Sequence, residues 1–239
     1  GEVDWKRFFR FDKKWIENMN WARISLAAKA VFPVIACHCD VLGHAFPGEE
    51  TIAALSGLTA KSVRKGIHDL EGFPGFLWMH YLTRRGKRGK NFQIIFPSKG
   101  ERGRVFFLHR GIIDGGIWRK NNDKQHHSGL IPTAQALYPV MRHFSRYCDG
   151  EDESLDDIDE FPERYANRSW ELCSAEIGQL ANHAGIHRHT VTDAIKNLQD
   201  NFLLEPCKTD DGEKAWKVFI IPKTHWKASF LNEKLRSEA

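Results

Sequence analysis

The strongest constraint on how this chain can fold is that it repeats itself. The stretch Glu176 to Gln199, EIGQLANHAGIHRHTVTDAIKNLQ, echoes the stretch Thr51 to Glu71, TIAALSGLTAKSVRKGIHDLE. Gly185 matches Gly57, Val191 matches Val63, Ile195 matches Ile67 and Leu198 matches Leu70. Upstream, TAQALYPVM (Thr133 to Met141) echoes AAKAVFPVI (Ala27 to Ile35), with Pro139 against Pro33. Val105-Phe106-Phe107 echoes Phe8-Phe9, and Ile221-Pro222 echoes Phe96-Pro97. Several echoes in one order mean tandem domains of one fold. At 239 residues there is room for two domains of about 100 residues each.

Local patterns say what each copy is. Phe46 to Glu71 reads as two short helices joined by a tight turn at Ser56-Gly57-Leu58. Ile52 and Leu55 are apolar on the first helix, and Val63, Ile67 and Leu70 recur at helical spacing on the second. Gly57 stands where such a turn needs positive φ, and Thr59 can cap the second helix. Lys6 to Phe11 is aromatic enough for a short strand, and Asp12 to Trp21 reads as a turn and a helical stretch. Ser25 caps a helix, LAAKAVFPVIACHCD, in which Pro33 is predicted to make a kink or a boundary. Phe76 to Leu82 and Asn91 to Phe96 read as two strands of a hairpin with TRRGKRGK at its tip. Phe202-Leu203-Leu204 and Trp216 to Ile221 supply a second hairpin. Helix, helix-turn-helix and hairpin together predict an α+β, mainly α chain of two winged-helix domains, 1–100 and 101–239.

The copies differ by one insertion. Their offset is 106 at the prolines and 128 at the glycines, so about 22 extra residues lie between. Asp149 to Glu163, DGEDESLDDIDEFPE, holds nine acidic residues and no basic one. Like charges at that density resist packing and predict a solvated loop.

Charge is unevenly placed. Residues 1–100 hold 16 Lys/Arg against 9 Asp/Glu, a net of +7; residues 101–239 hold 19 against 22, a net of −3. A basic first half suits a polyanion partner. On the second helix of the turn motif, Lys61, Ser62, Arg64, Lys65 and His68 point outward, a face that suits the major groove of DNA. The hairpin tip adds Arg84, Arg85, Lys87, Arg88 and Lys90.

The run SLAAKAVFPVIACHCDVLGHAFPGEETIAALSGLTAKSVRKGIHDLE resembles the winged helix-turn-helix domains of plasmid and phage replication proteins, down to the Phe46-Pro47-Gly48 step. The resemblance covers residues 20–96 well and 105–222 more loosely. It implies DNA-binding roles for Thr59, Lys61, Ser62, Arg64, Lys65 and His68, and for the hairpin cations Arg84, Arg85, Lys87, Arg88 and Lys90. In the second copy it implies the same for His187, Arg188, His189, Thr190, Thr192 and Lys196. The implied role is a plasmid or mobile-element replication initiator acting on double-stranded DNA, with replication or transcription machinery as further partners and a homodimer as one assembly. Transcription regulators use the same fold and remain an alternative, as does an interaction module built on degenerate winged helices.

Other chemistry is set aside. Cys37-His38-Cys39 with His44 offers no C-x-x-C pair, and residues 37 and 39 of a helix face different ways, so no metal is expected. His187-Arg188-His189 superficially resembles the His-hydrophobe-His motif of rolling-circle nickases. Its middle residue is charged, and no partnering tyrosine or metal ligands can be assembled, so no enzyme is expected and a DNA nickase stands only as a remoter alternative. There is no G-x-x-x-x-G-K-[ST], hence no nucleotide cofactor site of that kind. No apolar run approaches about 18 residues, and the segment GEVDWKRFFRF lacks a signal-peptide core. Five cysteines with no paired framework suit reduced thiols in a cytoplasm.

Overall fold

The structure, a computed structural model, describes residues 8–40, 42–73, 75–84, 87–95, 105–119, 129–145 and 170–220. It is mixed in class, with helices around small antiparallel sheets. The first half runs β1 (Phe8–Asp12), α1 (Lys14–Glu17), α2 (Asn20–Arg23), α3 (Leu26–Cys37), β2 (His44–Ala45), α4 (Glu49–Ser56), α5 (Ala60–Gly72), β3 (Leu77–Arg84) and β4 (Lys87–Ile94). The second half repeats that order except that no helix among its described residues corresponds to α2. Its elements are β5 (Val105–His109), α6 (Gly111–Asp114), α7 (Pro132–Phe144), β6 (Trp170–Cys173), α8 (Ile177–Ala184), α9 (Arg188–Asp200), β7 (Leu204–Lys208) and β8 (Lys214–Phe219). The acidic segment 149–163 and residue 85 at the hairpin tip lie outside the described residues.

Several helices begin or end for a local reason. The Ser25 side chain accepts from the Ala28 N–H at the start of α3, and the Thr59 side chain accepts from the Ser62 N–H at the start of α5. Gly57 closes α4 at φ 72° and Gly185 closes α8 at φ 61°, both left-handed. Pro33 does not bound its helix: α3 runs through it from Leu26 to Cys37, as α7 runs through Pro139. Ten consecutive residues of α3, Ala28 to Cys37, are buried, and that packing outweighs one missing N–H. Val63, Ile67 and Leu70 of α5 are buried, as are Val191, Ile195 and Leu198 of α9. Where α5 crosses α3, Gly66 is required: a Cβ there would stand 2.8 Å from the Ala27 carbonyl oxygen.

The sheets are ordered β2-β4-β3 and β6-β8-β7, so a short third strand joins each hairpin. Ala45 in β2 and Cys173 in β6 are the equivalent buried residues. The first hairpin is longer than its apolar pattern predicts. Its ladder continues to Thr83↔Arg88 and Arg84↔Lys87, well inside the eight residues that were expected to form its tip.

The halves join through an internal two-fold. β1 and β5 form their own antiparallel pair, with Phe8↔His109, Arg10↔Phe107 and Asp12↔Val105. With β1–α1 and β5–α6 aligned at an offset of 97, the pairing is symmetric about Arg10↔Phe107. The same dyad governs side chains. Trp21 Nε1 donates to the Ala136 carbonyl at 2.9 Å, and Trp118, its equivalent, donates to the Ala30 carbonyl at 2.9 Å. Ala30 and Ala136 are themselves equivalent, at the offset of 106. Such reciprocity is the signature of an isologous interface, here closed within one chain. Phe11 stacks on Phe106 across it, with ring centroids 5.0 Å apart.

Candidate nucleic-acid interface

The scaffold under the two outward-facing helices is the same in both halves. The Asp69 carboxylate on α5 accepts from the Ser25 N–H at 2.6 Å, at the start of α3. Asn197 on α9, its equivalent, accepts from the Ile131 N–H at 3.0 Å, at the start of α7. Asn201 adds a second tie, accepting from the Gly129 N–H at 2.7 Å. Each helix is therefore fixed in its angle to the helix beneath it, by a polar bond as well as by its apolar stripe.

On α5, Lys61, Arg64, Lys65 and His68 are exposed along one side, and Ser62 is half-buried among them. Arg64, Lys65 and His68 line a shallow depression with Ser25 and Asp69. Thr59 is less free, since its hydroxyl accepts from the Ser62 N–H at 3.2 Å and pairs with Ser62 Oγ at 3.1 Å. Arg64 is engaged as well. Its Nη1 lies 3.3 Å from Glu49 Oε2, and the Lys90 ammonium bonds the other oxygen of the same carboxylate. The Lys90 bond, with the Arg64 charge beside it, holds the Glu49 carboxyl below the usual carboxylate range. One acid at the start of α4 thus ties the outward helix to the hairpin.

Of the other hairpin cations, Arg84, Lys87 and Arg88 stand on the paired strands, and Arg85 lies outside the described residues. On α9, His187, Arg188, His189, Thr192 and Lys196 are exposed. The His187 and His189 rings lie 4.5 Å apart, and the Thr190 hydroxyl donates to the His187 carbonyl at 2.8 Å. Asp193 is also exposed on this helix. The second hairpin closes in a turn in which the Thr209 N–H donates to the Glu213 carbonyl at 2.9 Å, and it carries Asp210 and Asp211. The two halves therefore present one shape with different charge.

Sequence reasoning placed the outward cations but missed Glu49. Nothing in Gly48-Glu49-Glu50 says which of the two acids turns toward the hairpin. No group of three or more His, Cys, Asp or Glu that could hold a metal occurs among the described residues. Burial pushes the Cys37 and Cys39 thiols up to about 12, so both stay protonated near neutrality. No helix among the described residues is long and apolar enough to cross a membrane. No family model, no curated protein and no solved structure matches this chain.

Proposed function

We propose that this chain is a sequence-specific double-stranded DNA-binding protein of two winged-helix units, serving as a replication initiator of a plasmid or other mobile element. The observation that carries the reading is the exposed row Lys61, Arg64, Lys65 and His68 on α5. It flanks a hairpin with five cations and no acid between Arg84 and Lys90. The internal dyad supports it further, because it relates the half that carries α5 to the half that carries α9 as two subunits of a homodimer are related. A duplex site with two unlike half-sites in inverted orientation fits such a protein. The role in replication rests on the tandem arrangement and on the resemblance of residues 20–96.

Selection of bound duplexes from a random library by the intact chain tests this. The expected outcome is an enriched inverted pair of unlike half-sites, recurring near an origin in the host sequence. Enrichment at promoters would favour a transcription regulator, and no enrichment at low salt would remove the reading. In the same assay Arg64→Ala is expected to weaken the selected site by about 1–3 kcal/mol and relax one half-site. An equal loss on random DNA would reduce Arg64 to a phosphate contact.

Glu49 makes a second expectation. In the free protein its carboxylate occupies Arg64 and Lys90, the partners a phosphate would take. Glu49→Gln is expected to tighten binding to random duplex roughly three- to tenfold at low salt, and to steepen the salt dependence by about 1. Unchanged random-duplex affinity would show that DNA does not compete for these cations.

A further inference from the structure

The two outward helices share a shape and differ in the kind of charge they carry. At the offset of 128, His187 stands where the first half has Thr59, and His189 where it has Lys61. Thr192 replaces Arg64, Asp193 replaces Lys65 and Lys196 replaces His68. Over its first nine residues α5 holds Lys61, Arg64 and Lys65, a fixed net of +3. The same nine of α9 hold Arg188 and Lys196 against Asp193, a fixed net of +1. An imidazole gains its charge between about pH 5 and 8, where lysine, arginine and aspartate keep theirs. With His187 and His189 both charged, the start of α9 goes from +1 to +3 and reaches the fixed charge of α5.

The geometry gathers those imidazoles where an anion is drawn. His187 stands just before α9 and caps it, its Nδ1 accepting from the His189 N–H at 3.5 Å. That bond is long, so little is lost when a proton takes the lone pair. The two rings lie 4.5 Å apart, tilted by 38°, and both residues are exposed. The first turn of a helix adds unbonded N–H groups and the positive end of its dipole. A phosphate there makes a charge-assisted bond to a protonated ring and a weaker one to a neutral ring. Two charged rings at this separation repel, and one phosphate beside both offsets the repulsion. Phosphate contact therefore favours protonation, and by reciprocity protonation favours the contact.

Of the elements packed against α9, α7 brings Tyr138, Arg142 and His143, and α8 brings His183. β7 brings Glu205, Cys207 and Lys208. Tyr138 donates to the Phe219 carbonyl, Arg142 pairs with Glu171, and the His183 ring bonds the Gln179 carbonyl. Among the described residues no hydrogen bond or ion pair joins any of these to either ring, nor does one from Arg188 or Asp193 on α9 itself. We infer that α9 takes up protons at His187 and His189 as it engages DNA, so that the second half grips a duplex more tightly as the pH falls from about 8 to about 6. The inference rests on the DNA-binding reading above and adds its regulation. The first half holds by fixed charge, and the hold of the second is set by pH.

The test is fluorescence anisotropy of the intact chain on a labelled random duplex, at about pH 6 and about pH 8 and several salt concentrations. The readout is the ratio of the two affinities, because a contact that does not titrate moves both alike. At about 0.1 M salt the affinity is expected to be roughly tenfold higher at the lower pH. The slope of log K against log salt should be steeper there by about 1 to 2, since each added phosphate contact contributes about 0.9. The sign follows from charge: the contacts exist where the rings carry protons and are lost as the pH rises. In His187→Asn with His189→Gln, Asn keeps a side-chain cap and neither residue titrates. That variant is expected to bring the ratio below about 3. His189→Lys, which restores the residue of the first half, is expected to tighten binding roughly fivefold at the higher pH. His68→Gln on α5 is expected to keep most of the ratio. The inference is overturned if the intact chain binds duplex equally at both pH values, if the double variant keeps the full ratio, or if His68→Gln alone abolishes it. Duplex binding without pH dependence leaves the proposed function standing, whereas no duplex binding at either pH removes both.

Discussion

Gly185→Ala is expected to remove roughly 3 kcal/mol or more of stability, the largest loss from adding one methyl group among the described glycines. Two costs add. Gly185 sits at φ 61°, where a side chain itself costs about 1–2 kcal/mol. Its Cβ would also stand 1.9 Å from the Ala22 carbonyl oxygen and 2.8 Å from the Ala22 Cα. Those atoms are backbone, so no rotamer change relieves the contact. Ala22 belongs to α2 of the other half, so relief means lifting the α8–α9 turn off α2 and straining the bond from Trp21 to Ala136. Gly212 is the control. At φ 82° with nothing within 4 Å of its Cβ, Gly212→Ala carries only the backbone cost. Urea unfolding of the two variants checks the difference, and losses within about 1 kcal/mol of each other would show that the two halves do not press together at Gly185.

What the sequence made legible is what neighbours along the chain decide. The 3.6-residue spacing of Val63, Ile67 and Leu70 placed them in the core, and Gly57 and Gly185 announced their left-handed turns. Ser25 and Thr59 cap the helices they were expected to cap. What stayed hidden depends on partners far away. Phe8-Phe9 and Val105-Phe106-Phe107 echo each other, but neither β1 nor β5 says that the other is its neighbour. The kinship of Trp21 and Trp118 lies at that strand offset of 97, while the helices repeat at 106 and the turns at 128. A repeat whose spacing changes twice blurs its shortest elements first. The hairpin was under-read for another reason. Apolar alternation stops at Leu82, and Arg, Lys and Gly signal strands poorly, but an established ladder goes on pairing backbone whatever the side chains. Glu49 carried no signal either, since an acid at a helix start is commonplace.

The inequality of the halves sets the other large effect. Replacing Arg84, Arg85, Lys87 and Arg88 by Gln is expected to weaken duplex binding roughly 100-fold at low salt. The slope of log K against log salt should flatten by about 3 to 4, since each neutralised phosphate contributes about 0.9. The same treatment of the second hairpin, Lys208→Gln with Lys214→Gln, is expected to change the slope by less than about 1. There the two lysines face Asp210, Asp211 and Glu213, a local net of −1, and repulsion from those acids already limits phosphate contact. The outward helices lean the same way: α5 offers Lys61, Arg64 and Lys65, whereas α9 offers Arg188 and Lys196 against Asp193. The first half would anchor the protein by charge, and the second would add discrimination once the dyad brings α9 to the neighbouring groove. Titrating one duplex with the intact chain and both variants at several salt concentrations separates these roles. Equal flattening by the two sets of substitutions would mean that the fold places the hairpins alike on DNA and that local acids do not weaken the second, and the proposed division of labour would be wrong.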